Sequence, residues 1–246
     1  MIGDFMSEYI KAIFRKRPNR FIAEVEIDGK IAIAHVPNTG RCKELLVDGA
    51  IVYLALSNNP KRKTKFSLHF VENNNALVSI HSQEANKIVY EAILNGKIKE
   101  VDCNSYTQIK QEKTIGKSRI DIYLANDEDD CFIEVKGVTL VKDSVAMFPD
   151  APTERGRKHL NELIELRKNG HRAIVFFLIQ HPNGNSFRPN WETDPEFAKT
   201  LAIAETEGVE ILVYKCENKL DKIELVGEAI EYDLKEKITF NKTKVL

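Results

Sequence analysis

The first eighty residues alternate. Phe21, Ala23, Val25 and Ile27 are interleaved with Ile22, Glu24 and Glu26, and a period of two sends the two sets to opposite faces of a strand. Asp28-Gly29 follows, a pair that tolerates the positive φ of a type I′ hairpin turn. Ile31–Val36 reads as the returning strand, and Tyr9–Arg15 as a strand before a Pro18-Asn19 turn. After the Pro37-Asn38-Thr39-Gly40 loop come strands at Ile51–Leu56, Phe66–Val71 and Ala76–Ile80, the last two joined across Asn73-Asn74-Asn75. Five or six short strands in roughly 75 residues predict a small barrel or sandwich of about OB-fold size.

After Ser82 the period changes. Ile88, Val89, Ala92 and Ile93 have helical spacing within Asn86–Leu94, and Asn95-Gly96 stops the helix. Tyr106–Lys113, Ser118–Leu124 and Cys131–Lys136 read as strands, the last two joined by the acidic turn at 126–130. A helix is predicted over Thr153–Asn169, with Thr153 as N-cap and Gly170 just past the end. Arg172–Gln180 is a buried strand, Pro195–Glu207 a helix and Val209–Tyr214 a strand. The order αβββαβαβ predicts an α/β domain with a mixed sheet. The expected organisation is two domains, 1–82 and 83–246.

Composition and charge narrow the function. The chain has 246 residues and a formal net charge of −1, which argues against coating nucleic acid by bulk charge. The charge is uneven: +4 over residues 1–82, zero over 83–191 and −5 over 192–246, where an exposed acidic tail is expected. Three basic clusters stand out: Arg15-Lys16-Arg17 with Arg20, Lys61-Arg62-Lys63 with Lys65, and Arg155, Arg157 and Lys158. Together they suggest a phosphate-binding stripe, although solvated loops and helix faces carry such runs too. Cations in the first turn of a helix oppose its dipole, so the third cluster suits an incoming anion, or pairs with Glu154 or Glu162. No apolar run reaches the roughly 20 residues of a membrane span, and no signal peptide is evident, so a cytoplasmic protein is expected. Cys42, Cys103, Cys131 and Cys216 form no C-x-x-C pair and read as buried small hydrophobes. The six histidines show no H-x-x-x-H spacing.

Candidate chemistry centres on one hairpin. On Cys131–Lys136, alternation puts Glu134 and Lys136 on one face, and Asp121 on the paired strand can lie beside Glu134. Charges on strands this apolar need a reason, because an unpaired buried charge costs several kcal/mol. A hard divalent cation such as Mg²⁺ is one, since it needs only one or two carboxylates plus waters and a substrate phosphate. A salt bridge of Glu134 with Lys136 or Asp121 is another. Gly116-Lys117-Ser118 is not a phosphate loop, because Gln111 occupies the position of the first glycine and a strand follows.

An acidic residue on one strand followed by E-x-K on the next resembles the PD-(D/E)xK nuclease core. The surrounding words are more specific. Ser118-Arg119-Ile120-Asp121, Glu134-Val-Lys-Gly-Val-Thr-Leu140, the stretch from Met147 to Leu160 and Pro37-Asn-Thr-Gly-Arg-Cys42 resemble the sugar fermentation stimulation protein A family over nearly the whole chain. The resemblance implies an N-terminal OB-fold, a C-terminal mixed-sheet domain of restriction-endonuclease-like type and DNA binding. It makes Asp121 and Glu134 ligands of Mg²⁺ or Mn²⁺, Lys136 the catalytic lysine and Glu91 a helical metal ligand. Ile120 departs from the proline often found there. DNA contacts are expected from Arg15, Lys16, Arg17, Lys61, Arg62, Lys63, Arg119, Arg155, Arg157 and Lys158. The expected activity is metal-dependent phosphodiester cleavage; the alternative is a non-catalytic DNA-binding regulator.

Overall fold

The computed structural model describes residues 9–38, 40–57, 62, 64–115 and 118–236. Six strands form the N-terminal part: β1 (Ile10–Asn19), β2 (Ile22–Ile27), β3 (Lys30–His35), β4 (Ile51–Leu56), β5 (Phe66–Asn73) and β6 (Ala76–Ser79). They are ordered β3-β2-β1-β4-β5-β6, and β3 also pairs with β5. The first five strands therefore close into a barrel, which removes the exposed edges of an open sheet. Phe14, Val25, Leu54 and Leu68 fill it. Positive φ at Asp28 and Gly29, and again at Asn74 and Asn75, makes the two tight hairpins. The first strand outruns its predicted end. It continues through Pro18 to Asn19 across two register shifts, where a residue without an N–H is tolerated, and the turn is Arg20-Phe21 instead.

The C-terminal part contains α1 (Ser82–Leu94), β7 (Gln108–Ile115), β8 (Ser118–Ala125), β9 (Asp130–Val138), β10 (Leu140–Lys142), β11 (Val145–Phe148), α2 (Glu154–Lys168), β12 (Arg172–Ile179), β13 (Ser186–Pro189), α3 (Pro195–Thr206), β14 (Glu210–Asn218) and β15 (Ile223–Val226). The main sheet runs β15-β14-β12-β9-β8-β7. Its centre is parallel (β9, β12, β14) and its edges antiparallel. Strand β12 is buried on both faces, as expected of a parallel central strand. Ile174, Phe176 and Leu178 meet Val89 and Ile93 of α1, while Val175, Phe177 and Ile179 pack in the core shared with Leu160 and Leu163 of α2 and Leu201 of α3. The predicted αβββαβαβ order is present, with the small sheet β10-β11-β13 and the edge strand β15 added. The acidic stretch expected as a tail instead folds back through Leu234: Ile230 N–H donates to Val213 O (2.7 Å), Asp233 N–H to Phe187 O (3.0 Å) and Trp191 Nε1 to Leu234 O (3.2 Å). Among the described residues no helix is long and apolar enough to cross a membrane.

Buried amides join the two parts. Asn218 Nδ2 donates to Leu77 O and Gln180 O, both at 2.8 Å, and Gln180 Nε2 to Ser79 Oγ at 3.2 Å. Across the seam, Cys42 N–H donates to Asp150 Oδ2 at 2.9 Å. This draws residues 40–42 of the barrel towards the segment leading into α2.

Candidate active site

Alternation along β9 positions the chemistry. Ile133 and Val135 enter the core under α1, Phe132 and Val138 the core under α2, so Glu134 and Lys136 project towards α2. Glu134 is only 2% exposed. Lys136 Nζ donates to Glu134 Oε1 at 2.6 Å, and His159 Nδ1, from α2, meets the same oxygen. Arg155 Nε donates to His159 Nε2 at 3.3 Å. Lys136 Nζ also lies 3.3 Å from His159 Nδ1. Burial alone would raise the Glu134 carboxyl, but the His159 hydrogen bond and the Lys136 ammonium outweigh it and hold the group below its usual range. Glu134 Oε2 is buried without a hydrogen-bond partner.

Asp121 sits where β8 and β9 part, one residue beyond their paired stretch, which begins at Ile122–Ile133. Its Oδ2 accepts from Val135 N–H at 2.9 Å and its Oδ1 from Asn86 Nδ2 of α1 at 2.6 Å. Burial and the charge of Glu134 raise the Asp121 carboxyl to about 6, against the opposing pull of the Val135 N–H, Lys136 and Asn86. Two carboxylates that repel one another in a half-dry site favour the arrival of positive charge between them.

The other candidates divide sharply. Glu91 lies five residues beyond Asn86, roughly 7.5 Å further along α1, where it pairs with Lys87 at 3.7 Å and lines a shallow depression with residues of β15. Asn86, not Glu91, is the α1 side chain that reaches Asp121. Most of the basic clusters are balanced in place. Arg15 pairs with Glu26 and Asp48, Lys16 with Glu24, Arg119 with Glu112, Arg157 with Asp194 and Lys158 with Glu162. Arg17 donates to the carbonyls of Arg20, Asn38, Gly40 and Arg41, and Arg62 to Ser57 and Ser67. Lys61 and Lys63 lie outside the described residues. Of the predicted phosphate contacts, Arg155 stands against the site. His159 and Asn86 were missed. The signal for His159 was available: it falls on the buried stripe of α2 with Gly156 and Leu163, and a polar residue on a core-facing stripe needs a buried partner.

A cleft of about 300 Å³ opens beside this cluster, lined by Lys136 from β9, Asp150 and Phe148 before α2, Thr153 and Arg155 at the start of α2, and Asn38 and Gly40 from the barrel. A Cβ at Gly40 would come within 2.7 Å of Asp150 Oδ2, so a larger residue there would push that carboxylate aside.

Comparison with known proteins places this arrangement in context. Residues 83–222 match the model of the sugar fermentation stimulation protein RE domain, and residues 16–80 that of the SfsA N-terminal OB domain. A sugar fermentation stimulation protein homolog of Methanobrevibacter smithii is 67% identical, covering 94% of this chain and all of its own. One from Clostridium perfringens is 48% identical over 88% of this chain and 94% of its own. The structure of Pyrococcus furiosus SfsA in complex with Ca²⁺ superposes with a TM-score of 0.84 at 29% identity, covering 94% of this chain and 99% of that one. With its five-stranded barrel and its mixed sheet, this chain belongs to the sugar fermentation stimulation protein family.

Proposed function

We propose that this protein binds DNA and cleaves phosphodiester bonds with the help of a divalent metal, at a site built from Asp121, Glu134 and Lys136. The observation that carries the proposal is the buried Glu134–Lys136–His159 cluster beside Asp121, whose Lys136 lines a cleft shared by both domains.

The residues present fit a hard cation. Glu134 Oε2 is buried and unpartnered, and Asp121 supplies a second carboxylate. Among the described residues no group of three or more His, Cys, Asp or Glu could hold a metal by itself. That suits Mg²⁺ or Mn²⁺, which is completed by water and substrate phosphate, better than an ion needing a protein cage. The Ca²⁺ of the Pyrococcus furiosus relative is also an oxygen-seeking ion. A bound ion would acidify a water and neutralise charge developing on the phosphoryl oxygens. Lys136 reaches the cleft from Glu134, and its ammonium stabilises the same negative charge. His159 and Asn86 orient the two carboxylates, and Arg155 packs its guanidinium against the ring of His159.

The full-length protein should cut single- or double-stranded DNA only with Mg²⁺ or Mn²⁺. Asp121→Ala or Glu134→Ala should abolish cutting and leave DNA binding intact, and Lys136→Ala should slow it by about 100-fold or more. Equal rates for wild type and the carboxylate variants would refute the assignment. One observation favours a second reading, a DNA-binding regulator that does not cut: Lys136 and His159 already engage Glu134 Oε1 without a substrate. Salt-dependent binding with no cleavage under any divalent metal selects that reading.

A further inference from the structure

A second groove lies on the barrel and shares Gly40 with the cleft. It encloses about 310 Å³ between the β1–β2 turn, which gives Asn19 and Arg20, and the segment after β3, which gives Gly40, Arg41, Lys43 and Leu46. Its charge differs in kind from the basic clusters of the sequence. Arg20, Arg41 and Lys43 are exposed and, among the described residues, make no ion pair, and no acidic side chain lines the groove. Arg17 explains why the two segments meet. Its guanidinium donates to Arg20 O (2.6 Å) on one segment and to Asn38 O (2.7 Å), Gly40 O and Arg41 O (both 2.8 Å) on the other. It is a clip that orders the groove and leaves the three outer cations facing solvent. Beside them the ring of Phe21 is 45% exposed, with the Arg20 guanidinium 4.8 Å from its centroid.

We infer that this groove binds the phosphodiester backbone of single-stranded nucleic acid, through Arg20, Arg41 and Lys43, and delivers the strand past Gly40 into the cleft that holds Lys136. The inference rests on the proposed function for the strand's destination. Three cations in an acid-free groove match a polyanion, and an exposed ring beside them matches an unpaired base, the combination by which single strands are held without sequence preference. In a duplex the bases are stacked and paired, so Phe21 has nothing to stack on. Gly40 lines both cavities, so one strand can occupy both.

The test measures binding of the full chain to a fluorescent oligothymidylate by anisotropy, without divalent metal, across a salt series. Wild type should bind the single strand at least about tenfold more tightly than a duplex of the same length. The triple variant Arg20→Ala/Arg41→Ala/Lys43→Ala should bind about tenfold or more weakly, and its salt slope should fall by roughly 0.7 for each phosphate that is no longer neutralised. Phe21→Ala should weaken binding with little change in slope. Lys199→Ala, which removes a cation paired with Glu196 on α3, should change neither. The exposed positions leave the fold intact, which circular dichroism verifies. An unchanged affinity and slope in the triple variant, an equal loss in Lys199→Ala, or equal binding of duplex would overturn the inference. Metal-dependent cutting alongside an inert groove variant would sink the groove and spare the nuclease reading. A groove variant that binds weakly, in a protein that never cuts, would do the reverse.

Discussion

Glu84 shows how a single buried carboxyl can act against the fold that contains it. It lies in the first turn of α1, 8% exposed, with Oε2 unpartnered. Its nearest ring, His69, has Nδ1 4.0 Å from Oε1. Burial lowers His69 to about 3 and, with it, His81 to about 4, so neither ring offers positive charge at neutral pH. Burial raises Glu84 to about 7, with Lys87 opposing. The folded-state value lies above the unfolded one. The contribution of Glu84 is therefore fully present below about pH 4.5 and is lost as pH rises through about 7. Glu84→Gln keeps the shape and removes the charge. The variant should be more stable than wild type by up to about 3 kcal/mol at pH 8 and should gain little at pH 5. Urea unfolding at the two pH values measures this; an equal gain at both would clear the carboxyl of the effect.

At the scale of elements, Asp194 ties the starts of two helices together. Its carboxylate accepts from Phe197 N–H as the N-cap of α3, from Thr153 N–H ahead of α2, and from Arg157 Nη1 at 2.9 Å. Burial pushes its carboxyl up, but these N–H groups and Arg157 outweigh that and hold it below the usual range. Its contribution is thus present above the unfolded carboxyl value, near pH 4, and is lost as pH falls through the folded one. Asp194→Ala removes a cap and strands a half-buried guanidinium, and should cost about 3 kcal/mol or more. Asp194→Asn should cost less, and the cost of either variant relative to wild type should shrink below pH 4. If Asp194→Ala unfolds in urea like wild type, the tie is not structural. Periodicity made α2 legible, with Thr153 as its cap, because fifteen residues hold four turns of pattern. It could not show that Arg157 answers an aspartate 37 positions away, and so Arg157 read as a phosphate contact. Strands β10, β11, β13 and β15 escaped for a related reason. At three or four residues they contain no more than two repeats of their own period and exist because other elements cover them. The Asp121–Glu134 hairpin was legible because its alternation is long and its charges are out of place. Its partners Asn86 and His159 arrive from helices on opposite faces of the sheet, which local spacing cannot bring together.

For the whole molecule, the decisive contacts are those that make one body of two domains. The barrel spans about 70 residues, a size at which a single core is marginal on its own. It leans on the ends of β12 and β14 through Gln180, 1% exposed, and Asn218. Their amides satisfy Leu77 O, Ser79 Oγ and His81 O, and each acceptor left buried and unmet would cost about 1–3 kcal/mol. Gly137, next to Lys136, leaves the space that Gln180 occupies, since a Cβ there would collide with its Oε1. The joint and β9, which bears the candidate site, are thus packed as one unit. Wild-type protein should unfold in a single calorimetric transition with van't Hoff and calorimetric enthalpies in agreement. Gln180→Ala/Asn218→Ala should split it, with the barrel melting first. The cleft draws Asn38 and Gly40 from the barrel and Lys136 and Arg155 from the other domain, so metal-dependent cutting should be lost across the first transition, while the C-terminal helices still give their far-ultraviolet signal. A double variant that melts once, merely at a lower temperature, would show that the domains do not depend on these two amides for their coupling.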